Sequence, residues 1–322
     1  MTRASASSDV PLPAREGPGV GRLGPTPPLK GRGLSVALSL ALAACASAPA
    51  PAPQAAPAPA AAPAVPAGMQ WLYGSAEGAA SSMQAYHAFR DYVLAAARNR
   101  PVDSVVLARG AALESPRFVP CGERPLAVVL DADETALQNL GFEYDAAAHP
   151  GRGYDQERWN RWEASGSDAV RPMPGAVTAL RAIREAGVAV IFNSNRLARF
   201  AGANEAVLNR AGLGPVRHGE TLWLQGDAPG GTAKDERRWA ISERYCVVAM
   251  AGDQLGDFSD LFNARGLGVA ARREAAASGP FARLWGNGWF ILSNPVYGPS
   301  LRGGLDDVFP SDKRWSDPQG DH

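Results

Sequence analysis

The stretch AVVLDADETALQN, residues 127–139, joins the pattern of a buried strand to a cluster of acids. Its first four residues are apolar, and Asp131, Asp133 and Glu134 follow within four positions. The short apolar run at 126–130, which ends at these polar residues, predicts a strand covered on both faces. Carboxylates crowded together repel one another and lose hydration, so the stretch predicts a cation at the end of this strand.

The chain after this stretch alternates between strand and helix patterns. Three apolar runs predict further short strands: 188–192, 221–225 and 246–252. Three periodic segments between or beside them predict helices: 174–187, 197–211 and 233–245. Such alternation predicts an α/β fold of three layers, with a central parallel sheet and helices on both of its faces.

Two regions do not fit the alternation and are interpreted as a cap. Residues 75–100 show helical spacing, and a second helical piece is expected at 103–113. Residues 136–173 form a polar and aromatic insertion, which is long enough to build its own subdomain. We expect a small, mostly helical cap from about 69–115 and 136–173.

Chemically active side chains follow each predicted strand. In an open parallel sheet, ligands bind at the carboxyl ends of the strands. Those ends carry acids, a hydroxyl and, at the start of a helix, a lysine: Asp131, Asp133, Ser194, Lys234, Asp253 and Asp257. Carboxylate oxygens suit Mg²⁺, an aspartate can attack phosphorus, and lysine and serine can hold phosphoryl oxygens.

The order DxDET, SNR, lysine, GDxxxDF and NPxYG resembles the haloacid dehalogenase-like phosphohydrolases. It is most similar to the class C bacterial acid phosphatases, which include lipoprotein 5′-nucleotidases, over roughly residues 69–300. The resemblance implies that Asp131 is the nucleophile and a Mg²⁺ ligand, and that Asp133 is the general acid and base and binds Mg²⁺ through its carbonyl. It also implies that Asp253 binds Mg²⁺ and that Asp257 orients its waters.

The same resemblance assigns the substrate contacts. Ser194 and Lys234 would hold the phosphoryl group, and Asn195 and Arg196 would bind substrate. Trp159 and Tyr297 are candidate platforms for a nucleobase, although ordinary packing of these aromatic side chains is an equal alternative.

The implied activity is Mg²⁺-dependent hydrolysis of small phosphomonoesters, with nucleoside 5′-monophosphates as the expected substrates and an aspartyl-phosphate as the intermediate. Two alternatives stay open: phosphotransfer from the same intermediate to an alcohol, and a non-catalytic surface lipoprotein that binds nucleotide or haem. Lys plus Arg and Asp plus Glu number 32 each, and no basic stripe is visible, so a nucleic acid polymer is not an expected partner.

The N-terminus predicts export. Residues 1–44 are interpreted as a leader and signal peptide, in which Lys30 and Arg32 precede an apolar run too short to span a bilayer. The run ends at LAAC, which resembles a bacterial lipobox with Cys45 as the lipidated residue; an ordinary signal peptide or a buried helix is the alternative. Residues 45–68 are a Pro/Ala-rich tether, and residues 69–322 form the phosphatase domain.

The resemblance also bears on location and on the other two cysteines. Ala46 favours the outer membrane over the inner one in Gram-negative sorting, so we expect a lipid-anchored protein facing the periplasm or the cell surface. In the implied fold, Cys121 and Cys246 lie at the sheet end opposite the acids. We predict a disulfide between them in an oxidising compartment, with two buried free thiols as the alternative. An oligomer is possible.

Overall fold

The computed structural model describes residues 64–165 and 168–318. The predicted signal peptide, Cys45 and the tether before residue 64 lie outside these ranges. Within them, no helix has both the length and the apolar character needed to cross a bilayer.

The described residues form nine strands: β1 (Asp103–Leu107), β2 (Phe118–Pro120), β3 (Leu126–Leu130), β4 (Leu137–Gln138), β5 (Arg171–Pro172), β6 (Ala189–Leu197), β7 (Leu222–Gln225), β8 (Cys246–Gly252) and β9 (Trp289–Ile291). Their helices are α1 (Ala67–Met69), α2 (Ala76–Arg98), α3 (Leu140–Ala148), α4 (Gln156–Ser165), α5 (Ala176–Glu185), α6 (Ala201–Arg210), α7 (Asp235–Arg244), α8 (Val269–Ala277) and α9 (Leu305–Val308). Gln70–Gly74 is a π-helical turn between α1 and α2.

The central layer is a five-stranded parallel sheet in the order β7-β6-β3-β8-β9. It is covered on both faces, which explains the unbroken apolar runs. Val128 and Leu130 of β3 belong to a cluster with residues of α2, α5 and α6. Ala127 and Val129 of the same strand belong to a second cluster with β1 and α7. The predicted three-layer α/β fold is therefore confirmed.

Two features of the sheet differ from the sequence expectation. Residues 103–107, expected as part of a helix, form β1, which pairs antiparallel with β2. The apolar residues Val105, Val106 and Leu107 are all buried against the sheet, and this long-range packing outweighs local helical spacing. The fifth parallel strand, β9, was not predicted because three residues are too short for a periodicity signal.

A disulfide joins Cys121 to Cys246, the pairing predicted from the resemblance. Cys246 is the first residue of β8 and stands opposite Leu126, the first residue of β3. The bridge therefore lies at the amino ends of the parallel strands, away from the acids.

The insertion between β3 and β6 is attached to the core at both ends and in the middle. β4 and β5 close its ends as a two-stranded antiparallel sheet. Within it, α4 is held to the core by Glu163, whose Oε1 accepts hydrogen bonds from Leu197 N at 2.6 Å and from Asn204 Nδ2 at 2.8 Å.

The N-terminal region divides into two parts with different positions. α2 packs on α5, β8 and β9, so it is one of the helices that flank the sheet. Residues 67–74 lie nearer the strand ends, where Tyr73 donates a hydrogen bond to Glu134. Both parts reach the loop after β3, because Tyr86 of α2 donates a hydrogen bond to the Thr135 carbonyl at 2.7 Å.

Candidate active site

Three carboxylates meet at the carboxyl ends of β3 and β8. Asp131 directly follows β3, Asp253 directly follows β8, and Asp257 lies in the turn after it. One carboxylate oxygen from each lies within 4.8 Å of the others. They face a cavity of about 300 Å³, called here the carboxylate cavity, which Asp133, Lys234 and Asn195 also line. All-oxygen donors at this spacing can hold a divalent metal.

Lys234 joins two of these carboxylates directly. Its Nζ donates to Asp131 Oδ1 at 2.6 Å and to Asp257 Oδ1 at 2.7 Å. Its backbone N–H donates to Asp260 Oδ1 at 2.9 Å, which fixes the residue just before α7. Burial disfavours the ammonium, but the two carboxylates outweigh it, so the pKa of Lys234 is raised and the side chain is charged.

Burial dominates the ionisation of the carboxylates themselves. It raises the pKa of Asp131 well above the ordinary range, although Lys234 opposes the shift. Burial and the charge of Asp257 raise the pKa of Asp253 to about 7, against the hydrogen bonds from Asn294 and Gln254. A bound cation would favour the ionised forms, so the site is better suited to a metal-loaded state than to an empty one.

Asp253 is held by three neutral donors. Its Oδ1 accepts from Thr135 Oγ1 at 2.9 Å, and its Oδ2 accepts from Asn294 Nδ2 at 2.8 Å and from Gln254 Nε2 at 2.9 Å. Partners of this kind orient a carboxylate that binds metal.

Asp133 is paired with Arg196, which sequence reasoning assigned to substrate. Arg196 Nε and Nη2 donate to Asp133 Oδ1 at 2.9 and 2.8 Å. Its other contacts are to Asn139 Oδ1 at 2.9 Å and Asn204 Oδ1 at 3.2 Å. The Arg196 side chain is fully buried, with its donors engaged by protein. These contacts indicate that Arg196 positions Asp133, and its predicted contact with substrate stays a prediction.

A second cavity of about 410 Å³, called here the aromatic cavity, adjoins the first. The two share Asp133, Asn195, Thr232 and Tyr297 on their walls. Most of its remaining wall comes from α3 and α4 and the turn between them: Phe142, Glu143, Ala146, Arg152, Tyr154, Gln156, Arg158 and Trp159. Its volume falls in the usual range for small-molecule sites.

The two predicted aromatic platforms both line this cavity. Trp159 packs edge-on against Phe142, with ring centroids 4.9 Å apart, and the Arg196 guanidinium carbon lies 5.7 Å from the Trp159 ring centroid. Tyr297 lines both cavities, and its hydroxyl donates to Glu134 Oε2.

The structure separates Ser194 from its neighbour Asn195. Ser194 is completely buried and lines neither cavity, and its Oγ accepts from the backbone N–H of Arg196 at 3.2 Å. Asn195 lines both cavities, and its Nδ2 donates to the Thr232 carbonyl at 3.0 Å. The described walls therefore present Asn195 to a ligand, whereas Ser194 bonds to the backbone of β6 behind them, and its phosphoryl-binding role stays a prediction.

Glu134 is a buried acid that the sequence placed in the motif without a role. Its Oε1 accepts from Tyr73 Oη and from Asn139 N, each at 3.0 Å, and its Oε2 accepts from Tyr297 Oη. The residue has φ of 51°, a left-handed conformation that is uncommon outside glycine. Burial, followed by the charge of Asp133, raises its pKa to about 7. Glu134 thus ties residues 67–74 and the NPxYG segment to the loop that carries Asp131 and Asp133.

Sequence reasoning missed the neutral partners around the acids. Thr135 and Asn294 lie inside the quoted DxDET and NPxYG motifs, so motif membership was an available signal for both. Their hydrogen bonds to Asp253 could not be predicted from the sequence, because Thr135 and Asp253 are 118 positions apart. Tyr73, Glu143 and Thr232 carried no local signal at all.

Comparisons with known proteins agree with this geometry. The family model of HAD superfamily, subfamily IIIB (acid phosphatase) matches residues 76–300. The class C acid phosphatase of Bacillus anthracis is similar in structure, with a TM-score of 0.58 and 24% identity over 76% of this chain and 89% of that one. Its tungstate-bound crystal structure gives a TM-score of 0.58 and 23% identity over 75% and 92%. No curated protein matches the chain.

The fold and the site thus define an acid phosphatase of the HAD superfamily. The chain belongs to subfamily IIIB of that superfamily, the acid phosphatases, because the family model covers most of its length. It is a phosphoric monoester hydrolase, and its three clustered aspartates fit the divalent metal that HAD phosphatases generally use.

Proposed function

We propose that the protein hydrolyses nucleoside 5′-monophosphates with Mg²⁺, through an aspartyl-phosphate on Asp131. The observation that carries the proposal is the junction of the two cavities. A phosphoryl group beside Asp131 and Lys234 would have its ester oxygen directed past Asp133 toward an apolar and aromatic space. A nucleoside is a planar aromatic group of suitable size for that space.

The proposed chemistry gives each side chain near this junction a role. Asp131 Oδ attacks phosphorus, the new P–O bond forms, and the bond to the ester oxygen breaks. Asp133, in its acid form, gives its proton to the leaving alkoxide. Water then attacks the aspartyl-phosphate while Asp133 takes a proton from it, which releases inorganic phosphate and restores both carboxyl groups. Mg²⁺, held by Asp131, Asp253 and Asp257, would neutralise phosphoryl charge, as would Lys234.

A phosphate-release screen tests this proposal. Nucleoside 5′-monophosphates and p-nitrophenyl phosphate are supplied to the full chain in EDTA, and then with excess Mg²⁺. We expect release from both kinds of ester only with the metal, and a higher kcat/KM for nucleotides. Asp131→Asn should lower kcat by at least about a thousandfold, whereas the matched change at exposed Asp103, Asp103→Asn, should not. Full activity in EDTA, or in Asp131→Asn, would contradict the mechanism.

Adding an acceptor alcohol distinguishes hydrolysis from phosphotransfer. With glycerol present, a hydrolase releases the same amount of inorganic phosphate as nucleoside. A transferase releases less phosphate than nucleoside, and the missing phosphate appears as glycerol phosphate.

We also propose that the protein is exported and lipid-anchored at the outer membrane. The proposal is supported by the lipobox-like LAAC and the Pro/Ala-rich tether. Cys45→Ala should move the protein from the detergent-soluble membrane fraction to the aqueous fraction. An unchanged distribution would refute the anchor.

A further inference from the structure

Glu143 is a buried acid on the wall of the aromatic cavity that hydrolysis does not use. It lies in α3 beside Phe142, and these two residues with Ala146 form the face of the helix that lines the cavity. The residue is only 7% exposed. Within the described ranges its carboxylate accepts no hydrogen bond, and its oxygens are not enclosed by protein but open to the cavity. A ligand in the cavity can therefore donate hydrogen bonds to it.

Arg158 lies close to Glu143 and is also incompletely satisfied. Its guanidinium carbon is 4.7 Å from the Phe142 ring centroid, and its Nη1 donates to Asp145 Oδ2 at 3.2 Å. Its buried Nε has no partner in the described part of the chain. Burial raises the pKa of Glu143 to about 7, and the charge of Arg158 opposes this shift. The wall therefore offers an acceptor and a cation side by side, among aromatic rings.

We propose that Glu143 and Arg158 make the aromatic cavity selective for guanine, an inference that rests on the nucleotide substrate proposed above. The carboxylate would accept from N1–H and the 2-amino group, two adjacent donors that match its two oxygens. Arg158 would donate to O6, the acceptor next to N1–H. Trp159 and Tyr297 would flank the base.

The other bases complement this pair of side chains less well. Adenine presents one exocyclic amino group beside a ring nitrogen that accepts, so one carboxylate oxygen would meet a lone pair. Uracil has a single N–H between two carbonyls, and the oxygens of these carbonyls would repel the carboxylate on either side. A site that hydrogen-bonds a ligand N–H rejects analogues lacking it more strongly than an apolar site does.

Substrate selectivity tests the inference at pH 7.5, with kcat/KM measured on the full chain. The substrates are guanosine, inosine and uridine 5′-monophosphates and p-nitrophenyl phosphate, which has no base. We expect guanosine to exceed inosine, which lacks the 2-amino group, by about tenfold and uridine by more. Glu143→Gln should reduce the guanosine-to-uridine ratio about tenfold or more and leave p-nitrophenyl phosphate within about twofold. The matched exposed change Glu123→Gln should alter neither quantity.

Each contrary outcome has its own meaning. Nucleotide hydrolysis with equal kcat/KM for guanosine, inosine and uridine, or with a ratio that Glu143→Gln does not change, overturns the guanine inference and leaves the proposed function standing. Hydrolysis of p-nitrophenyl phosphate without any nucleotide hydrolysis overturns the nucleotide substrate and the inference together. The inosine comparison needs no variant, so the test does not depend on Glu143→Gln folding.

Discussion

Replacing Lys234 with methionine removes the cation that holds two buried carboxylates together. The ammonium lies 2.6 Å from Asp131 and 2.7 Å from Asp257, and these three side chains are at most 12% exposed. Removing one partner of such a buried pair typically lowers the free energy of unfolding by about 3–5 kcal/mol. In a domain of this size that corresponds to a midpoint of thermal unfolding lower by roughly 6–20 °C.

The size of this loss should depend on pH. Burial already raises the pKa of Asp131 and of Asp253, the latter to about 7. A carboxyl with a raised pKa in the folded state holds a proton that the unfolded chain releases, so stability is lost as pH rises from about 4 through 7. Without Lys234 the ionised forms cost more, so the deficit should be largest at pH 7.5 and smaller at pH 4.5.

Thermal unfolding in EDTA at these two pH values measures the effect, with Lys313→Met as a matched change at an exposed lysine. The free energy of unfolding of that control should stay within about 0.5 kcal/mol of the value for the unchanged protein. An equal loss for Lys234→Met at both pH values would mean that packing, and not charge, sets its contribution. A loss below about 1 kcal/mol at pH 7.5 would refute the pairing itself.

Three further changes test other contacts. Arg196→Met should lower kcat for p-nitrophenyl phosphate about 10–100-fold with KM nearly unchanged, because Arg196 contacts Asp133 and does not line the cavity. A raised KM at normal kcat would support the predicted substrate-binding role instead. Gly252→Ala should raise the Mg²⁺ concentration needed for half-maximal activity, since the new Cβ would lie 2.3 Å from Asp257 Cβ and would displace that carboxylate. An unchanged Mg²⁺ concentration would show that the position of Asp257 does not depend on this close approach. Reducing the disulfide, which links positions 125 apart, should lower the free energy of unfolding by about 2–5 kcal/mol; the same unfolding midpoint with and without reductant would contradict this.

The strands were predictable to different degrees for a physical reason. Leu126–Leu130 and Cys246–Gly252 have the bounds that the sequence predicted, because both are buried on two faces and so are apolar without interruption. Asp103–Leu107 was predicted as helix, since a short apolar run does not distinguish the two structures locally. Its partner, Phe118–Pro120, decides the matter through pairing that local periodicity does not encode.

The sequence by itself determined the α/β layers and the chemical identity of the site. Parallel strands place their carboxyl ends at one edge, so Asp131, Lys234 and Asp253 had to meet once the strands were recognised. Only the tertiary structure decided which polar atoms form hydrogen bonds within the protein and which remain available to a ligand. Arg196 donates to Asp133 and to two asparagines from other elements, whereas Glu143 faces a cavity and accepts from no donor in residues 64–165 and 168–318. Hydrogen-bond satisfaction depends on contacts between distant segments, and residue type and spacing along the chain do not encode it.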